Sequence, residues 1–146
     1  MTTMTAPRAA TVGAVGRKPR LVIAEDDAEF RRMLVDKFRG AGFDVVEADS
    51  GTTLAEFLVA QGGIDWSDAI ISDVRMPGLS GMDMLAYLTA RGYTKPVVLI
   101  TAFGDWSIRR EAATFGAVTV FDKPVDLDDL LQFVRQFLPP AGAAVA

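Results

Sequence analysis

Short apolar runs recur along the chain, each followed by a stretch in which apolar residues return every three or four positions. The run at 21–24 halts at Glu25-Asp26-Asp27, and 28–41 then carries Phe30, Leu34 and Phe38 at intervals of four, with Met33 beside them. That spacing predicts an amphipathic helix ended by Gly40 and Gly42. A strand over 43–48 precedes a second helix over 51–61, with Leu54, Phe57 and Leu58 inward and Gly62-Gly63 stopping it. The run at 69–72 ends at Asp73, and Met76-Pro77-Gly78 reads as a turn, because Pro fixes its own torsion and Gly tolerates what others cannot. A third helix over 81–90 points Met82, Leu85 and Leu88 inward, and the most apolar strand, 96–100, ends at Thr101. A more polar fourth helix spans 105–115, and a fifth strand, 118–121, stops at Asp122-Lys123-Pro124. The last helix, 127–138, takes Asp126 as its cap, with Asp129 offering the return bond and Leu127, Leu130, Leu131, Val134 and Leu138 forming its apolar face.

Strands that alternate with helices read as βα units, and strands without polar alternation belong in a parallel sheet covered on both faces. The right-handed crossover rule leaves few topologies for such a chain. Ligand sites in these sheets lie at the carboxyl ends of the strands. The polar residues of this chain collect there: Glu25, Asp26 and Asp27 after the first strand, Asp73 after the third, Thr101 after the fourth and Lys123 after the fifth.

Composition narrows the chemistry. The 146 residues are half hydrophobic and 23% charged, an ordinary globular balance, and suit one domain. The Thr-, Ala- and Gly-rich residues 1–19 and the PPAGAAVA end, 139–146, read as flexible tails around a folded body at 20–138. Cysteine and histidine are both absent. Disulfides, thiolate or imidazole catalysis and Cys- or His-ligated metals are thereby excluded, and any bound metal must be held mainly by oxygen. The body carries all nineteen acidic residues and twelve of the fifteen basic ones, a formal −7, which argues against direct nucleic-acid binding. No apolar run approaches a membrane span, and the first twenty residues lack the pattern of a secretory signal, so a cytoplasmic location is expected.

If the first and third strands are neighbours, Glu25, Asp26 and Asp73 converge, and like charges at close range need a compensator. Mg²⁺ suits an all-oxygen site and would also invite a phosphate. Lys123 adds a cation and Thr101 a hydroxyl donor at adjacent strand ends. Together these make a site where an aspartate attacks phosphorus. Taken singly, each residue has an ordinary structural reading, and Asp27 reads as a helix cap; co-location at one sheet edge is what singles them out.

The motifs LVIAEDD, IISDVRMPGLSG, VVLITA and VFDKPVD, in this order and spacing, resemble those of the receiver domain of bacterial two-component response regulators, over about residues 20–138. The resemblance implies a (βα)5 fold, a five-stranded parallel sheet in order 2-1-3-4-5 with helices on both faces. It implies Asp73 as phosphoacceptor, with Asp26, Asp73 and the Arg75 backbone carbonyl binding Mg²⁺, Mn²⁺ being able to substitute, and Glu25 acting largely through water. Thr101 and Lys123 would contact the phosphoryl group, Thr101-Ala102 lying at the switch position. The partners implied are a sensor histidine kinase or a histidine phosphotransfer protein, and a downstream protein reached through the fourth helix, fifth strand and last helix, where Trp106 sits. A monomer or a phosphorylation-dependent dimer is expected, with no membrane insertion.

Two departures from the family pattern stand out. Val120 occupies the place of the usual switch aromatic, three residues before Lys123, and Phe121 should point to the opposite face. Arg75 and Phe103 occupy the positions flanking the path of the attacking water, and a bulky Phe103 would shield the acyl phosphate and prolong its life. A stand-alone receiver is the leading expectation. The alternatives are the receiver part of a transcriptional regulator and a receiver-like module that binds partners without phosphorylation, which Val120 favours. A magnesium-dependent phosphatase for small molecules is the least suited, since the body leaves no room for a cap over a substrate pocket.

Overall fold

Alternation within the strands is what builds the core. In the computed structural model, which describes residues 16–60, 62–102, 106–115 and 119–138, the five strands found among those residues are β1 (Arg20–Ala24), β2 (Asp44–Ala48), β3 (Ala69–Asp73), β4 (Val97–Thr101) and β5 (Thr119–Asp122). They pair in parallel in the order β2-β1-β3-β4-β5, the predicted topology. Six helices accompany them: α1 (Ala28–Gly40), α2 (Gly51–Ala60), α3 (Gly63–Trp66), α4 (Gly81–Ala90), α5 (Trp106–Thr114) and α6 (Leu127–Arg135). Val22, Ile70 and Leu99 face the side covered by α2, α4 and α5, while Leu21, Ile23, Ile71, Val98 and Ile100 face α1 and α6. All ten residues of β3 and β4 are buried, as strands covered on both faces must be.

The caps are local sequence effects. Asp27 accepts from the N–H groups of Glu29 and Phe30 at 3.0 and 3.2 Å, Ser80 from that of Asp83 at 3.1 Å, and Asp126 from that of Asp129 at 3.0 Å. Each fills backbone donors that a helix start leaves unpaired.

Some expectations fail locally. Met33, grouped with the buried stripe of α1, is half-exposed. The last helix ends at Arg135, and residues up to Leu138 continue as tighter turns in which Leu138 N–H bonds Arg135 O at 3.3 Å. Trp66 closes α3, a short helix the periodicity did not predict, packing edge-on against Phe57 at 5.7 Å under the Arg20 guanidinium at 5.5 Å. Residues 61, 105 and 118, expected at element ends, lie outside the described residues, as do 1–15 and 139–146 of the two tails.

Arg17, on the leader side of residue 20, docks onto the fold. Its guanidinium bonds both carboxylate oxygens of Asp68 at 2.8 and 3.2 Å, where the Arg20 N–H also donates at 2.8 Å and Lys95 stands 3.9 Å away. Asp68 is only 4% exposed, and a buried carboxylate requires such partners. Arg17→Ala is expected to cost about 1–2 kcal/mol, because Lys95 remains to compensate in part. Urea unfolding measures it, and a midpoint unchanged from wild type would mean the bridge contributes nothing.

Candidate functional site

The strand register brings the predicted residues to one edge. Ala24 pairs with Ser72, Asp73 with Ile100, and Thr101 with Asp122, so Glu25, Asp73, Thr101 and Lys123 all emerge at the carboxyl end of the sheet. Glu25 is fully buried and fixed through its backbone, donating from its N–H to Ala48 O at 3.0 Å and accepting at its carbonyl from Arg31 at 2.8 Å. Its Oε2 accepts from the Asp27 N–H at 3.0 Å. Asp73 is buried, and its Oδ1 accepts from the Arg75 N–H at 2.9 Å, which orients the carboxylate. Asp26 stays exposed. Carboxylate oxygens of Glu25, Asp26 and Asp73 lie within 4.8 Å of one another.

Lys123 faces this cluster. Its backbone N–H bonds Thr101 O at 2.8 Å, tying the β5 end to β4, and a cis bond joins it to Pro124. Its Nζ reaches Asp73 Oδ2 at 2.5 Å and stands 3.5 Å from Glu25 Oε1. Burial alone would lower its pKa, but the hydrogen bond and charge of Asp73, with the charge of Glu25, hold it above the ordinary lysine value. Burial, reinforced by the charge of Asp73, pushes Glu25 up to about 7, although the Asp27 N–H and Lys123 pull the other way.

Two buried side-chain atoms among the described residues lack a hydrogen-bond partner, Glu25 Oε1 and Thr101 Oγ1. Both border the cluster, and a buried unpaired polar atom costs about 1–3 kcal/mol unless something fills its place. The orphaned Glu25 carboxylate oxygen, with the carboxylates of Asp26 and Asp73 close by in a chain without Cys or His, fits a hard divalent cation. Beside Asp73 an open groove of about 500 Å³ runs between the β3–α4 turn and α5, lined chiefly by Val74, Met76, Met82 and Ile108.

The remaining predicted residues divide. Val120 is half-buried against the α2/α4/α5 side, and Phe121 lies on the α1/α6 side against Phe133, as alternation requires. Ala102, directly after β4, is exposed. Phe103, expected to shield the site, lies outside the described residues. Trp106 is 72% exposed, with the Arg109 guanidinium 5.8 Å from its ring centre, and Arg109 in turn bonds Asp122 at 2.8 Å and Val120 O at 3.1 Å. Sequence reasoning missed Arg31, which braces the Glu25 carbonyl while bonding Glu47 at 3.0 Å. A helical position one turn and a half beyond the acidic pair carries no signal of reaching back to it.

The family model described as the response regulator receiver domain matches residues 21–135. The C4-dicarboxylate transport transcriptional regulatory protein DctD of Pseudomonas aeruginosa is 34% identical over 119 residues, 82% of this chain and 25% of that protein. The sporulation initiation phosphotransferase F of Bacillus subtilis is 25% identical over 120 residues, 82% of this chain and 94% of that protein. Among solved structures, the receiver domain of the Francisella response regulator 1452 superposes with a TM-score of 0.73 at 27% identity, covering 82% of this chain and 96% of that one. The chain thus spans a quarter of the DctD relative and nearly all of the sporulation protein.

Proposed function

The chain belongs to the response regulator receiver family, and from that premise we propose that it takes a phosphoryl group onto Asp73 from a histidine of a sensor kinase or phosphotransfer protein. An Asp73 carboxylate oxygen attacks phosphorus, the phosphorus–nitrogen bond of the phosphohistidine breaks, and the imidazole leaves with the bonding pair. Lys123 and the Thr101 hydroxyl stabilise the phosphoryl oxygens; Thr101 Oγ1 is buried without another partner, and Lys123 already lies 2.5 Å from Asp73. Glu25, Asp26, Asp73 and the Arg75 carbonyl would hold Mg²⁺, or Mn²⁺ in its place. When bound, the ion neutralises charge on the phosphoryl oxygens. Hydrolysis later returns the carboxylate: water attacks phosphorus, the acyl phosphate P–O bond breaks, and orthophosphate departs with a proton lost to solvent.

The observation that carries this reading is the convergence of three carboxylates within 4.8 Å of one another beside an ammonium and an orphaned hydroxyl. The reading extends to a cytoplasmic receiver unit over 20–138 that signals to a downstream protein through α5, β5 and α6, as a monomer or a phosphorylation-dependent dimer. Exposed Trp106 marks that face. No helix among the described residues is long and apolar enough to cross a membrane. The DctD match, of which the chain spans a quarter, favours a second reading as the receiver part of a longer transcriptional regulator.

Intact mass after incubation with Mg²⁺ and acetyl phosphate tests the proposal. Wild type is expected to gain about 80 Da, one phosphoryl group, and neither Asp73→Asn nor the metal-free protein gains it. Equal gain in the Asn variant would move the acceptor elsewhere. No gain from either a small donor or a phosphohistidine donor would leave a receiver-like module that binds without phosphorylation.

A further inference from the structure

Among the described residues, three groups stand against the Lys123 ammonium. Asp73 Oδ2 is 2.5 Å away and Glu25 Oε1 3.5 Å, while the ring centre of Phe30 stands at 5.4 Å. The two carboxylates are the groups that a cation or an arriving phosphoryl group engages. The ring is not. Phe30 lies in the first turn of α1, where the Asp27 carboxylate accepts from its N–H at 3.2 Å, so one cap anchors both the acidic loop and the ring. Its side chain is half-buried against the cluster that packs α1 and α6 onto the sheet, which limits where the ring can go. The lysine is freer: its side chain is 37% exposed, on a flexible four-carbon stem that carries a compact, strongly hydrated charge.

A ring face within about 6 Å of an ammonium attracts it through the ring quadrupole, without occupying any of its three donors. This separates the ring from the carboxylates, which hold Lys123 only while their own oxygens are available. We infer that Phe30 is a positioning residue for phosphoryl transfer, keeping the Lys123 ammonium beside Asp73 while the carboxylate oxygens are engaged elsewhere. The inference rests on the phosphoacceptor reading of Asp73 and deepens it. Phe30 makes and breaks no bond. It acts through Lys123, whose value to a transferring phosphoryl group depends on being in place beforehand.

The test uses the full chain as wild type, Phe30→Leu and Phe30→Tyr, with lysines carbon-13 labelled at the ε position and Lys123→Arg supplying the assignment. In the resting protein the ring displaces the Lys123 ε-methylene resonance from those of the other lysines; Tyr keeps that displacement and Leu loses it. Phosphoryl uptake from acetyl phosphate at saturating Mg²⁺ is expected to slow about two- to fivefold in Leu and to stay at the wild-type rate in Tyr. A ring that only packs α1 would lower the melting temperature of the Leu variant while leaving resonance and uptake at wild-type values. That outcome overturns the inference, as does a Tyr variant as slow as Leu. If wild type itself gains no phosphoryl mass, the phosphoacceptor reading fails. The resonance then still decides whether the ring holds the lysine, an undisplaced one overturning the placement.

Discussion

Glu25→Gln makes the metal-free protein more stable at pH 8, on the order of 2–3 kcal/mol more than it does at pH 5. The cause is a carboxyl group buried before it has a cation to neutralise it. Folding raises its pKa from 4.5 to about 7, with burial the main cause and the Asp73 charge adding to it. Between those two values the native state keeps a proton that the unfolded chain has lost, so stability falls as pH rises through the window. Above pH 7 both states are ionised and the penalty is complete. Its full size is on the order of 3 kcal/mol, taken from the shift. Gln carries no proton to lose, so the wild-type slope between pH 5 and 8 flattens in the variant. The same proton links to metal. Below pH 7 a bound Mg²⁺ must displace it, so affinity falls by up to about tenfold per pH unit as the solution is acidified, then levels off above pH 7. Urea titrations with chelator at the two pH values, and calorimetric Mg²⁺ titrations across the range, measure both effects. Parallel wild-type and Gln stabilities from pH 5 to 8 would show that Glu25 is already ionised when the protein folds.

What could be read from the chain follows from the range of each interaction. Strand ends were legible because burial on both faces demands largely apolar runs, and the polar residues that halt each run must lie at the sheet edge: Glu25, Asp73 and, one residue after Asp122, Lys123 were all found this way. The helix starts at Asp27 and Asp126 were legible because a cap is satisfied within three residues. Helix α3 was not, since four residues make one turn and have no periodicity to detect. Met33 misled because it borders the Leu34–Phe38 stripe, and only the placement of neighbouring helices decides which side of a stripe is covered. Arg31 and Arg17 escaped for a different reason. Arg31 reaches back six residues to the Glu25 carbonyl and over to Glu47 on β2, and Arg17 reaches a carboxylate 51 residues away; the Glu47 and Asp68 contacts exist only once the sheet has assembled. Asp68 did offer a signal, a charged residue directly before the apolar run Ala69-Ile70-Ile71, which must be paired if the strand is central.

Gly51→Ala is expected to destabilise the fold by about 3 kcal/mol or more and to weaken Mg²⁺ binding, although Gly51 touches no carboxylate. The reason lies in how the Asp73 loop is held. After Asp73 the chain turns through Met76-Pro77-Gly78 before α4 begins at Gly81, and this turn rests on the first residues of α2. The Gly51 N–H donates to Pro77 O at 2.8 Å. A Cβ at position 51 would fall 1.9 Å from Leu79 O and 2.3 Å from Leu79 N, both backbone atoms that no rotamer change can move aside. Gly78, at a φ of +85°, also approaches Thr52, where a Cβ would stand 2.4 Å from its hydroxyl oxygen and 2.9 Å from its backbone N, so the turn has little room to settle lower on the helix. The loop must therefore lift off, and overpacking of this kind costs about 1–3 kcal/mol, more where backbone opposes backbone. Lifting the turn also moves Arg75, whose N–H orients the Asp73 carboxylate at 2.9 Å. Thermal unfolding and Mg²⁺ titration of the variant read the two consequences separately. A variant that loses stability but binds Mg²⁺ as tightly as wild type would show that the turn and the carboxylate cluster are held independently.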